Sequence, residues 1–234
     1  MPVSLTMHHE HHLKSSDTIR DIVIGMSDGL TVPFALAAGL SGAVNSSTII
    51  ITAGIAEIVA GSIAMGLGGF LAGRTEADHY ASELIREYDE VKRVPEQEKA
   101  EVREVFASFG LSETLQIQVA DEMAKDTDKW VDFMMRYELG LEKPEANRAT
   151  QSAITIGLSY IVGGIIPLSP YFFTANSIHG LYYSCVITMI CLFIFGYFKS
   201  RVTGQPAITG AFKVLIIGAL AAAAAFGMAK WING

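Results

Sequence analysis

The chain has 234 residues, half of them hydrophobic, with a mean hydropathy of +0.36 and a formal net charge of −7. That balance excludes an ordinary soluble globule, and no nucleic-acid partner is expected. Charge is also uneven: residues 149–198 contain no Asp, Glu, Lys or Arg, whereas residues 74–148 hold 19 acidic and 11 basic side chains. The pattern is that of an all-α, polytopic membrane protein with one polar insert.

The opening stretch containing MHHEHHLKSS has no apolar periodicity. Residues 1–18 are expected to form a disordered tail, whose four histidines could catch metal weakly. Five apolar runs follow, each near the ~20 residues that a bilayer core requires. They fall at about 22–44, 48–73, 150–168, 177–198 and 207–231. The first is longer than the apolar region of a secretory signal and has no obvious small-residue cleavage site. The third ends at a turn marked by Pro167 and Pro170. Cys185 and Cys191 are six residues apart in one run, so on a helix they face different ways and no disulfide is expected. The organisation predicted is helices 1–2 within residues 19–73, a helical domain at 74–148, and helices 3–5 within 149–234.

Basic residues beside the spans set the orientation. Lys14 and Arg20 precede the first, Arg74 follows the second, Arg148 precedes the third, and Lys199 and Arg201 lie between the fourth and fifth. All fall on one side if the spans alternate. This places the N-terminus and the insert in the cytoplasm and the C-terminus on the far side. Within the insert, ADHYASELIREYDEVKRV predicts a helix that could simply continue the second span. Pro95 opens a second helix, ending at Gly110. Ser112 is expected to cap a third, broken near Asp126–Asp128. Together they make a small bundle.

Two acids stand inside the apolar runs: Asp28 in the first span and Glu57 in the second. Burying either costs at least ~2.5 kcal/mol on insertion scales. Lys213 is the only basic candidate partner within a span. Two unpaired acids in adjacent spans imply a cation, a proton or a water path. Met65, two turns beyond Glu57, adds a soft thioether to the hard carboxylate, a mixture suited to a borderline ion such as Fe²⁺; packing is its other reading. Gly29 and Pro33 also admit two readings. Either they permit close helix packing, or they loosen the backbone around Asp28, since Pro33 removes the amide that would bond the Gly29 carbonyl.

A second constellation lies in the insert. Glu87 and Glu90 share one helix face, as do Glu98 and Glu101; Met134, Met135 and Glu138 fall within one turn. A bundle could gather these into a metal site, although Glu-x-x-Glu is also common on solvated helices and the methionines could be core. Glu76-x-x-His79 supplies one half of a di-iron carboxylate pattern, so a membrane-bound di-iron enzyme is an alternative, as is a metal-sensing membrane protein without flux.

The stretches SDGLTVPFALAAGLSGA, AGIAEIVAGSIAMGLGGFLA, WVDFMMRYELGLEKP and GGIIPLSPY resemble the vacuolar iron transporter family, and the likeness runs from about Asp17 to Trp231. The resemblance implies a homodimer of five-span subunits in a vacuolar membrane, not an enzyme, exporting Fe²⁺ from the cytosol in exchange for protons, with Mn²⁺ as a further cargo. It implies an ion path between protomers lined by the first two helices, carrying Asp28, Glu57 and Met65; we expect Asp28 and Glu57 to couple the protons. It also implies a cytoplasmic domain in which Glu87, Glu90, Glu98, Glu101, Met134, Met135 and Glu138 bind divalent transition metals (Fe²⁺, Zn²⁺, Mn²⁺, Co²⁺), with no prosthetic group.

Overall fold

The computed structural model describes residues 15–233, and the histidine-bearing stretch falls outside them. Eight α-helices and no strand occur among the described residues. They are α1 (Ser15–Ala43), α2 (Ser47–Arg93), α3 (Pro95–Ser108), α4 (Glu113–Met123), α5 (Thr127–Phe133), α6 (Arg148–Leu168), α7 (Ser177–Val202) and α8 (Ala207–Asn233). Helix α1 begins at Ser15, so residues 15–18 are helical and not part of a disordered tail. Asp17 sits in its first turn, where a negative charge meets the positive end of the helix dipole. Five helices, α1, α2, α6, α7 and α8, are long and apolar enough to cross a membrane. Nothing in the sequence breaks α2 after Gly73, and it continues without interruption to Arg93.

The chain divides into two compact units, one comprising the described residues to Phe70 and from Thr150 onward, the other Leu71–Ala149. In the first, α1 packs on α7 and α8, and α7 on α8. Phe34 and Ala38 of α1 meet Ala222 of α8 in a core completed by Leu181, Cys185, Met189 and Phe226. Helix α7 buries small residues at helical spacing, namely Ser177, Gly180, Ser184, Thr188, Gly196 and Ser200, and exposes Tyr183, Ile190, Ile194 and Phe198. This is the membrane arrangement, with small residues at helix contacts and large apolar ones outward. Pro167 and Pro170 bracket the end of α6, where the chain tightens into a 3₁₀ turn at Ser169–Phe173. That turn seats Tyr171, whose hydroxyl lies 2.9 Å from the Ser41 hydroxyl of α1.

The second unit is built by α3, α4, α5 and the part of α2 beyond Leu71. Pro95 stands at the first position of α3, where its missing amide costs nothing. Gly110, at φ +81°, makes the left-handed turn after α3 that a side chain would resist. Ser112 occupies the position before α4, but its hydroxyl makes no capping hydrogen bond. The break expected near Asp126 is present, and Asp126 caps α5 by accepting the Lys129 amide at 3.3 Å. Val91, Val102, Ala120, Trp130, Val131, Met134 and Met135 form the core. Burying each large side chain there stabilises the fold by about 1.5–3 kcal/mol. After Phe133 the helix widens into a π turn at Met134–Glu138, a feature often found at functional sites.

Candidate functional site

Two acidic constellations occur, one in each unit. In the membrane unit, α1 carries Asp28, α2 carries Glu57 and Met65, and all three are half-buried. Helix α6 approaches both. A Cβ on Gly25 would run into the Ile156 carbonyl, and one on Gly29 into the Tyr160 carbonyl. The fit is reciprocal, since a Cβ on Gly163 would come within 2.9 Å of the Leu30 amide nitrogen and 3.1 Å of the Gly29 Cα. Gly29 therefore serves close packing on α6. Helix α1 runs unbroken through Pro33, whose ring faces Gly164, so the backbone beside Asp28 remains helical. Lys213 is exposed on α8.

Tyr160, which the sequence did not single out, sits among these groups. It is 2% exposed and donates its hydroxyl proton to Glu57 Oε1. Gly61, one turn beyond Glu57, leaves the space that the tyrosine ring fills. The charges of Glu57 and Asp28 both act on the Tyr160 hydroxyl. The other carboxylate oxygen of Glu57, Oε2, is buried with no hydrogen-bond partner among the described residues. An orphaned buried oxygen is costly unless a cation, a proton or water completes it.

In the second unit, Glu87, Glu98 and Glu138 each offer a carboxylate oxygen within 4.8 Å of the others. Glu87 and Glu98 are both 2% exposed, and each has an Oε2 with no hydrogen-bond partner among the described residues. Glu138 closes the trio from the exposed side, and Glu90 and Glu101, half-buried and outside the trio, act on the same carboxylates. Glu90 pairs with Arg86, and Glu101 Oε1 accepts a hydrogen bond from Gln97 at 3.2 Å. Met134 and Met135 are fully buried in the core of this unit. His79 stands outside the trio, its side chain 57% exposed, against Glu83 at 3.9 Å. The Glu-x-x-His half-site expected of a di-iron enzyme is therefore not part of this cluster.

Crowded carboxyls resist ionisation. Glu98 is pushed up to about 7, first by burial and then by the charges of Glu101 and Glu87. Glu138 is also pushed up to about 7, by burial of its carboxyl first and by Glu101 next, with Arg86 opposing. A divalent cation binding here must displace protons near neutrality. We expect roughly one proton released per ion bound at pH 7 and affinity that weakens steadily as pH falls to 6, measured by calorimetry in buffers of different ionisation enthalpy. Without metal the sign for stability is also set. The folded unit holds protons that the unfolded chain, near 4.5, has lost, so stability should fall as pH rises from about 4.5 to about 7.

Residues 19–230 match the model of the VIT family. The chain belongs to the VIT family. It is 52% identical over 229 residues to vacuolar iron transporter 1 of Tulipa gesneriana, covering 98% of this chain and 93% of the relative. Its identity to vacuolar iron transporter 1 of Arabidopsis thaliana is 53% over 229 residues, covering 98% and 92%. The likeness extends to protein CCC1 of Saccharomyces cerevisiae at 37% over 225 residues, covering 92% of this chain and 69% of the relative. Membership of the VIT family makes the protein a membrane transporter and not an enzyme.

Proposed function

We propose that this protein is a proton-coupled antiporter that moves Fe²⁺, and Mn²⁺ with it, from the cytosol into the vacuole for storage and detoxification. Its curated relatives are named as vacuolar iron transporters, which supports the cargo and the membrane. The observation that carries the coupling is the Glu57 carboxylate, held by Tyr160 at one oxygen and orphaned at the other. A proton and a metal cation are the alternative occupants of such a group, and their competition links the two fluxes. Asp28, which shares the field of Tyr160, is the second exchange group, and Met65 supplies a soft donor on the same helix as Glu57.

The insert is the cytoplasmic collector, with the buried Glu87 and Glu98 and the exposed Glu138 as the converging ligands, Glu90 and Glu101 as flanking ones, and Met134 and Met135 as thioether donors. The N-terminus lies on the same cytoplasmic side and the C-terminus faces the lumen. The working unit is a homodimer whose ion path runs between the two copies along α1 and α2. Ala56, Ala60, Ala64 and Gly68 are spaced by four on α2 and exposed, and none of the described residues lies within 4 Å of where a Cβ on Gly68 would stand. A row of small residues suits close approach by a second membrane helix.

The test is metal uptake into sealed vesicles containing the purified protein, with an acidic interior. Uptake of Fe²⁺ should require the pH gradient and should alkalinise the lumen as metal enters. Uptake that persists unchanged when the gradient is collapsed rejects the antiport reading. In the same vesicles, Tyr160→Phe should lower the initial rate by roughly ten-fold, the loss expected for one hydrogen bond to a charged group. A rate equal to wild type would remove Tyr160 from the path.

A further inference from the structure

Arg86 lies on the outer side of the insert's carboxylate cluster. Its Nη2 is 2.7 Å from Glu83 Oε2 and 3.9 Å from Glu87 Oε1, and its Nε is 3.4 Å from Glu90 Oε2. The guanidinium thus grips two residues assigned above as metal ligands and a third carboxylate, Glu83, which is 17% exposed. Its positive charge also acts on Glu138. The Arg86 side chain is 51% exposed, which leaves it room to move into solvent.

An arginine cannot give up its charge near neutrality. Beside a divalent ion it must therefore move away or weaken that ion's binding by repulsion. Its carboxylate partners are largely buried, but the guanidinium itself is half exposed, and its contact with Glu87 is long at 3.9 Å, so a divalent charge can outcompete it and turn it out into water. We propose that Arg86 is a built-in competitor of the metal, occupying Glu90 and the edge of Glu87 until a cation displaces it and hastening that cation's release afterwards. The inference rests on the reading of the insert as a metal collector. It adds that affinity there is held down by a residue of the chain itself, as a site that must hand its ion onward requires.

The test uses the full-length protein in detergent, with Asp28→Asn and Glu57→Gln in every sample so that the membrane site contributes little. Zn²⁺, and Fe²⁺ without oxygen, are titrated by calorimetry, and release to a chelator is followed by stopped flow. Arg86→Gln should bind roughly ten-fold more tightly and release correspondingly more slowly, because a positive charge beside the ion is gone. A residue that merely braces the helix would give the opposite result, a weaker site. Unchanged or weaker binding in Arg86→Gln overturns the proposal. Should glutamine unfold the insert, judged by helicity, Arg86→Lys decides instead. It keeps the charge but loses the fork on Glu83 and Glu90, and should tighten binding by roughly three-fold, with the same overturning result. Glu87→Gln with Glu98→Gln separates the two claims. If that double variant loses metal while Arg86→Gln matches wild type, only the competitor role falls; if it loses none, the collector reading falls with it.

Discussion

Asparagine in place of Asp28 is expected to reduce Fe²⁺ uptake into acidic vesicles on the order of a hundred-fold, while the protein remains folded and keeps the oligomeric state of the wild type. The two side chains have nearly the same shape, so the half-buried position in α1 is preserved. What the amide lacks is the ability to bind a cation as an anion or to take up a proton in its place. A hundred-fold loss corresponds to about 2.7 kcal/mol, the scale on which losing a charged ligand from a partly buried site weakens binding. The decisive measurement is the initial uptake rate with the pH gradient imposed, alongside size-exclusion chromatography of the same sample. Gradient-driven uptake within a few-fold of wild type would sink the assignment of Asp28 to coupling.

The second large effect concerns packing. Leucine at Gly29 should destabilise the membrane unit by about 3 kcal/mol or more, because its Cβ collides with the backbone carbonyl of Tyr160 and no side chain can yield. In a thermal melt of detergent-purified protein this corresponds to a fall on the order of 10 °C. Leucine at Gly68 provides the contrast. None of the described residues meets a Cβ there, so the melt should stay close to wild type. The dimer should loosen instead, if α2 is the contact between copies. A Gly68→Leu protein that stays fully dimeric would move the proposed interface elsewhere, and a Gly29→Leu protein as stable as wild type would contradict the helix contact itself.

Much of the fold is legible in the sequence. Five apolar runs give five long apolar helices, because length and hydropathy alone decide whether a helix can cross a bilayer. Asp28 and Glu57 stood out because a carboxylate in an apolar run is expensive. The carboxylate cluster was partly visible in the paired spacing Glu87/Glu90 and Glu98/Glu101. Which member of each pair points inward was not, since residues three apart on a helix share a face only approximately. Burial selects Glu87 and Glu98 and leaves Glu90 and Glu101 outside. Tyr160 was hidden for a different reason. An aromatic in an apolar run signals ordinary packing, and its bond to Glu57 joins positions 103 apart in sequence. Gly29 was ambiguous between a hinge and a contact, because the same absent side chain serves both, and only its neighbour on α6 distinguishes them. Arg86 carries no distinct signal in the sequence, because an arginine three or four residues from a glutamate is ordinary on a solvated helix; the burial of its carboxylate partners is what sets it apart.

The reciprocal glycine contacts between α1 and α6 bear on how such a protein can move. Where two helices meet through backbone atoms at Gly25, Gly29 and Gly163, there is no flexible side chain between them to absorb a slide or a twist. The pair is geared together. A conformational cycle that exposes Asp28 first to one compartment and then to the other has to carry α1 and α6 as one rigid piece, taking Tyr160 with them. The displacement must then be taken up at softer contacts, such as the one between the Tyr160 hydroxyl and Glu57, which makes that hydrogen bond a clutch between α6 and α2 as well as a ligand support.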